Sequence, residues 1–256
     1  MISKNKIKYI KSLEKKKIRQ ELQLFIAEGN KLVESLFPYF ECELLLAKPS
    51  WMATQGDLPT KELIVAEEGD IEKASLLKNP QDVIAVFNQS KNELDRSCFK
   101  KELTLVLDGI QDPGNLGTII RVANWFGIRN IICSPDTADV YNPKVIQATM
   151  GAIAYVNVFY YPVFELMKEV IDENIPLYGT FLDGDNIYEK NLEAYGCIVM
   201  GNEGNGISSA LEEYINHRLL IPNYPPDTVS TESLNVAAAT AVICAEFRRQ
   251  QIYSRK

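Results

Sequence analysis

The stretch DPGNLGTIIRVANWFG, residues 112–127, decides how the second half of this chain is read. Asp112, Pro113 and Gly114 spell a turn, Asn115 and Gly117 follow, and the apolar spacing beyond them predicts a helix carrying Arg121. LTLVLD (103–108), just before it, reads as a strand. A glycine-bearing strand-to-helix turn commonly cradles a phosphate. The spacing here is neither G-x-G-x-x-G nor G-x-x-x-x-G-K-[ST], so dinucleotide and P-loop readings lose support.

Outward from this turn the chain keeps alternating. NIICS (130–134), YVNVFY (155–160), PLYGTF (176–181), CIVMGN (197–202) and HRLLIP (217–222) read as strands. NPKVIQATMG (142–151), FELMKEVIDEN (164–174), SSALEEYIN (208–216) and SLNVAAATAVICAEFRRQ (233–250) read as helices. Apolar runs without polar alternation are strands covered on both faces, which predicts a parallel sheet flanked by helices. Three glycine-bearing loops, DPGNLG, FLDGDN and GNEGNG, follow predicted strands. In an open parallel sheet such loops form the ligand crevice. The closing helix, VAAATAVICAE, is small and apolar on nearly every face and is expected to be buried all round.

The first part reads as a separate small α/β unit. FIAEG (25–29), CELLLA (42–47), ELIVA (62–66) and DVIAVF (82–87) are apolar runs that fit buried strands. NKLVESLFPYF (30–40) has amphipathic helical spacing with Asn30 as its cap, and DIEKASLLK (70–78) is helical. The polar, aperiodic NQSKNELDRSCFKK (88–101) is the linker candidate. The expected organisation is an N-terminal domain over 1–90, a linker over 91–101 and a larger domain over 102–256.

Composition excludes several classes. The 256 residues are 46% hydrophobic and 24% charged, an ordinary globular balance. No run reaches membrane-spanning length, and the charged N-terminus lacks the apolar core of a signal peptide. Five scattered cysteines (Cys42, Cys98, Cys133, Cys197, Cys244) without a CxxC pair read as free buried thiols in a reducing cytoplasm. The single histidine, His217, opens a strand, which leaves little room for histidine-based catalysis, and no metal-ligand spacing occurs. The net charge of -7 hides a basic start: residues 1–40 hold nine Lys or Arg against four Glu. Lys6, Lys8, Lys15, Lys16, Lys17 and Arg19 form the candidate phosphate-contacting patch, although a solvated helix face explains the same charges.

A polar set remains on the loops: Asn115, Arg121, Asn202, Glu203, Ser233 and Asn235. Singly, each has an ordinary explanation. Asn115 and Ser233 suit helix caps, Asn235 and Glu203 suit helix starts, and Arg121 suits a surface ion pair. Together, DPGNLGTIIRVANWFG, VMGNEGNGIS (199–208) and LLIPN…ESLNVAAATAVICAE (219–246) resemble the three ordered motifs of the SpoU (TrmH) family of RNA ribose methyltransferases, in the SPOUT superfamily. The resemblance covers about residues 103 to 250, and KIKYIKSLEKKKIRQELQLFIAEGNKLVES (6–35) is similar to the start of that family's substrate-binding domain.

The resemblance implies an α/β fold with a C-terminal trefoil-knotted, parallel-sheet domain, preceded by a small α/β RNA-binding domain. It implies methyl transfer from S-adenosylmethionine to a ribose 2′-hydroxyl, with Arg121, Asn115, Glu203, Ser233 and Asn235 catalytic. Gly201, Ile221, Leu234, Asn202, Thr180 and Leu182 would line the cofactor site. It further implies a homodimer with active sites at the interface, acting on ribosomal RNA, with transfer RNA second. The N-x-G-x-x-x-R and S-L-N elements favour ribose over a base nitrogen. Their joint presence argues against a catalytically silent RNA-binding relative. The third motif departs from the family: ten residues separate Pro222 from Ser233, and Ala237 stands where a polar residue is usual.

Overall fold

The computed structural model describes residues 2–225 and 233–253. The chain opens with α1 (Lys4–Ser12), α2 (Lys16–Leu22), β1 (Leu24–Glu28), α3 (Asn30–Leu36), β2 (Cys42–Ala47), α4 (Pro49–Met52), β3 (Thr60–Val65), α5 (Asp70–Ala74) and β4 (Val83–Asn88). It continues through β5 (Leu103–Leu107), α6 (Pro113–Trp125), β6 (Asn130–Cys133), α7 (Pro143–Thr149), β7 (Asn157–Tyr160) and α8 (Val163–Asp172). β8 (Leu177–Asn186), β9 (Gly196–Met200), α9 (Ser209–Glu212), β10 (His217–Leu220) and α10 (Val236–Tyr253) complete it. These elements form two compact units: the segment up to Asn92 with Asp139–Ala154, and Glu93–Ala138 with the chain from Tyr155 on.

The first unit is a four-stranded sheet in the order β1-β4-β2-β3, with β4 antiparallel to its neighbours and β2 parallel to β3. Ile10 and Leu13 at the end of α1 pack with Ile26, Leu44, Leu46, Ile84 and Val86 on one face of the sheet. Full burial of each such side chain stabilises by about 1.5–3 kcal/mol. The strand expected over 62–66 to be buried lies at the sheet edge. Leu63 and Val65 are 47% and 51% exposed, because β3 has a neighbour on one side only. Asn30 does not cap α3. Gly29, at φ +104°, takes the cap position, and the Asn30 amide instead donates to Asp82 Oδ2 at 3.1 Å.

The unit also takes in a segment from beyond the linker. α7 packs against β1, and the Tyr141 ring lies 5.0 Å from that of Phe25. Arg19 holds the start of this segment. It is 1% exposed, donates to the carbonyls of Leu13 and Glu14 at 2.8 and 2.7 Å, and meets Asp139 Oδ2 at 2.5 Å. Arg19, expected among the RNA-contacting cations, is therefore a buried structural residue. Every one of its bonds is internal, so its guanidinium has no reach to a phosphate. Lys8, Lys15, Lys16 and Lys17 are exposed, while Lys6 is half-buried and paired with Glu62 at 2.6 Å.

The second unit is a six-stranded sheet in the order β10-β8-β9-β5-β6-β7, parallel throughout. Every residue of β5, β6 and β9 is buried, as unalternating apolar runs require. Part of the expected linker belongs to this core: Cys98 and Phe99, in a short 3-10 turn, pack with Val106, Val199 and Leu177. All five cysteines are free and buried. Burial, the largest cause in each case, raises the thiols of Cys133 and Cys197 far above the ordinary range and that of Cys244 to about 12, so none of the three is a ready nucleophile. α10 is not covered on all sides within one chain. Val236, Ala237, Thr240, Ile243, Cys244 and Phe247 are buried, but Ala238 and Ala245 are exposed. Among the described residues no helix is long and apolar enough to cross a membrane.

Arg19→Ala removes a buried charge from three internal acceptors. It should cost about 3–5 kcal/mol of unfolding free energy by urea titration. A loss below about 1 kcal/mol would contradict a structural Arg19.

Candidate active site

Because all six strands of the second unit are parallel, their carboxyl ends share one edge of the sheet, and loops after β10, β8, β9 and β5 leave neighbouring strands there. The loop after β5 is fixed first. Gly109, at φ +71°, donates its N–H to Ser134 Oγ at 2.8 Å and accepts from Asn202 Nδ2 at 2.6 Å. Asp112, not Asn115, caps α6: its side chain accepts the Asn115 N–H at 2.8 Å, with Pro113 at the first helical position. Leu116, Ile119, Ile120 and Ala123 bury one face of α6, and Arg248 of α10 donates to the carbonyls of Phe126 and Gly127 beyond its end.

The loop after β9 folds back on itself. Asn202 and Gly206 exchange backbone hydrogen bonds at 2.9 Å, and Asn202 Oδ1 accepts the N–H groups of Gly204 and Asn205. A Cβ on Gly201 would lie 2.2 Å from both the Gly206 carbonyl carbon and the Ile207 nitrogen, so only glycine allows this return. The Asn202 side chain is wholly engaged in building the loop and tying it to Gly109. Asp108 adds a second tie by accepting the Ser208 N–H at 2.8 Å.

Three predicted residues meet in one chain of hydrogen bonds. Asn115 Nδ2 donates to Glu203 Oε1 at 2.8 Å, and Asn235 Nδ2 donates to Asn115 Oδ1 at 3.0 Å. Asn235 Oδ1 accepts the N–H groups of Ala237 and Ala238 at 3.0 and 3.2 Å, which makes Asn235, rather than Ser233, the cap of α10. The starts of α6 and α10 and the loop after β9 are thus joined through one side-chain amide.

The other predicted residues stand apart from this chain. Arg121 is exposed and has no hydrogen-bond or ion-pair partner among the described residues. Six residues along a helix place it about 240° round from Asn115. Ser233 is exposed, and Leu234 is 55% exposed. Ile221 is half-buried just past β10. Thr180 and Leu182 do not end a strand. β8 runs on to Asn186, and its pairing with β10 jumps from Gly179–Arg218 to Asp185–Leu219, so residues 180–184 bow outward. Leu182 is 75% exposed in that bow. Arg218 closes it, stacked 3.6 Å over the Phe181 ring and paired with Asp183 and Glu212. Most of the long loop between Pro222 and Ser233 lies outside the described residues. His217 lies at the start of β10, the opposite edge of the sheet, stacked on Tyr178 at 4.8 Å. Among the described residues no group of three His, Cys, Asp or Glu is placed to hold a metal ion.

The sequence reading missed Asp112, Gly109, Ser134 and Asp108. Asp-Pro at a helix start is itself a capping signal and would have identified the first. The ties to Gly109 and Ser208 join segments too far apart in the chain for any local pattern to reveal.

Residues 102–245 match the family described as the SpoU rRNA Methylase family, and residues 4–85 match the MRM3-like substrate binding domain. The chain is 31% identical to the 23S rRNA (guanosine(2553)-2′-O)-methyltransferase of Bacillus subtilis, over 95% of this chain and 96% of that protein. A TrmH-family structure from Porphyromonas gingivalis superposes with a TM-score of 0.89 at 39% identity, covering 98% of this chain and 99% of that one. An AdoMet-bound rRNA methyltransferase from Sinorhizobium meliloti superposes with a TM-score of 0.78 at 26% identity, covering 98% and 96%.

Gly201→Ala forces a methyl group against backbone and should cost about 1–3 kcal/mol in chemical denaturation. A change within about 0.5 kcal/mol would mean that the loop does not need its close return.

Proposed function

The chain belongs to the SpoU rRNA methylase family, and from that premise we propose that it transfers a methyl group from S-adenosylmethionine to a ribose 2′-hydroxyl of ribosomal RNA. The observation that carries this reading is the hydrogen-bonded chain Glu203–Asn115–Asn235, which brings all three family motifs to one edge of the parallel sheet. The named relatives favour ribosomal over transfer RNA.

The cofactor fits the residue types at that edge. The returning loop at Gly201, half-buried Ile221 and the exposed apolar Leu182 and Leu234 offer backbone and apolar surface of the kind an adenosyl group needs. Thr180 would add a hydroxyl at the margin. When bound, S-adenosylmethionine supplies a methyl group on a sulfonium, already a good leaving group. The protein's task is then to position the ribose and accept its proton. The planar guanidinium fork of Arg121 suits a phosphate held bidentately. Lys8, Lys15, Lys16 and Lys17 give the first unit an exposed basic surface for RNA.

We also propose that the active form is a homodimer, that the C-terminal chain is knotted, and that the protein works in the reducing cytoplasm. Trp125 on α6 is 84% exposed, and Ala238 and Ala245 leave an apolar stripe on α10, which packs against α6. Surface of that kind suits a second copy. Arg121 projects from the same open side of α6, away from the Asn115 amide of its own chain, which suits an active site shared between protomers.

Purified protein with methyl-labelled S-adenosylmethionine and ribosomal RNA from cells lacking the gene should place label in a 2′-O-methyl nucleoside. Label on a base would favour base methylation, and cofactor binding without any transfer would favour a silent RNA-binding protein. Arg121→Lys keeps the charge but not the fork and should slow transfer by about 10-fold or more. A near-wild-type rate would overturn the guanidinium role. Sizing at low micromolar concentration should give about twice the 28.9 kDa chain mass; a monomer alone would sink the dimer.

A further inference from the structure

We propose that Arg218 is a positioning residue for the cofactor: its guanidinium clasps the bow of β8, residues 180–184, in the shape that receives S-adenosylmethionine. This rests on the methyl-transfer reading above and gives a role to a residue outside the three motifs.

The bow has no strand beside it. β8 pairs with β9 only as far as Gly179, and its pairing with β10 lapses between Gly179 and Asp185. Glycines set where the bow leaves the sheet and where it rejoins. A Cβ on Gly179 would lie 2.7 Å from the Phe181 ring, and one on Gly184 would lie 2.7 Å from the Leu219 carbonyl carbon. Between them Phe181 turns in against the core, while Leu182 and Asp183 are exposed. Arg218 supplies the hold that a neighbouring strand would otherwise give. Its guanidinium carbon lies 3.6 Å from the centre of the Phe181 ring. Nη2 donates to Asp183 Oδ1 and Nη1 to Glu212 Oε1, each at 2.6 Å. The ring is thus held between the core and a cation. A lysine has neither the flat face nor the fork to make all three contacts.

The place of Arg218 in the fold gives the clasp its purpose. Asp183 lies in the bow next to Leu182, and Glu212 lies in α9, which follows the returning loop at Gly201. Arg218 itself stands three residues before Ile221. One guanidinium therefore links the three segments that offer backbone and apolar surface to an adenosyl group. Gripping an RNA phosphate is the other use an arginine near this edge could have. Here both terminal nitrogens and the flat face are already engaged, and the two flanking carboxylates repel an anion. The Asp183 and Glu212 side chains are 77% and 42% exposed, so each ion pair is weak alone and screened by salt. Interactions of that size cannot hold up a domain, but they bias a short unpaired segment toward one of its shapes.

Arg218→Met keeps the stem and removes the fork. Its dissociation constant for S-adenosylmethionine, measured by calorimetry, should rise about 5- to 20-fold. Amide hydrogen exchange over residues 180–184 of the cofactor-free protein should quicken by about the same factor. RNA affinity by filter binding, and single-turnover transfer at saturating cofactor, should stay within about threefold. Asp183→Asn should weaken cofactor binding in the same direction, and adding it to Arg218→Met should change little more, since the two groups share one contact. Salt near about 1 M should bring the wild-type affinity toward that of the methionine variant. The proposal is overturned if Arg218→Met binds the cofactor within about twofold of wild type; a fall in RNA affinity alone would make Arg218 a phosphate grip. Exchange quickened throughout the parallel-sheet unit would overturn it too, because Arg218 would then support the fold at large. A wild-type protein that binds no S-adenosylmethionine is a separate outcome and overturns the functional reading itself.

Discussion

The side-chain amide of Asn115 has a partner at each end, and the candidate active site depends on that fact. With Glu203 at its nitrogen and Asn235 at its oxygen, it connects segments 88 and 120 residues away in the chain. A hydrogen bond of this kind contributes about 0.5–1.5 kcal/mol, small against the cost of ordering three loops. The rest of the order comes from rigid supports. Asp112 fixes the start of α6, the backbone exchange between Asn202 and Gly206 fixes the loop after β9, and the N–H groups of α10 fix Asn235. The amide therefore joins parts that are already stiff, and the join selects one geometry among few.

Beneath the loops lies the constraint of a parallel sheet. β5, β6 and β9 are buried on both faces, so neither face is open to a ligand. What remains is the edge where strands end, and only there does the chain have freedom to place polar groups. Local devices make the loops compact enough to meet. Gly201 permits a backbone approach that any Cβ would block, Gly109 turns with positive φ, and five residues of β8 bow out beside β10. A sheet built for burial thus carries its linked polar side chains on its rim.

Much of this was legible in the sequence, and the failures share a cause. Unbroken apolar runs located β5, β6 and β9 and predicted parallel pairing, because burial on both faces leaves no polar period to read. The three motifs located Asn115, Glu203 and Asn235, since their spacing is local. Arg19 was misread because a buried arginine and a phosphate-gripping one look alike in a basic segment; only Asp139, 120 residues on, distinguishes them. β3 was expected in the interior because apolar composition does not report position in the sheet order. Packing of residues 139–154 with the first unit left no trace in periodicity, since a helix keeps its pattern whichever core it joins. The caps were exchanged, Asp112 for Asn115 and Asn235 for Ser233, because several side chains in each turn can cap and geometry alone chooses.

The most direct test of the claim that one shared amide assembles the site is a double-mutant cycle on Asn115→Ala and Asn235→Ala, read in unfolding free energy. Residues in hydrogen-bonded contact should couple by about 0.5–3 kcal/mol, so the double variant should be less destabilised than the sum of the two single variants. Losses that add to within about 0.3 kcal/mol would show two independent residues and contradict the account.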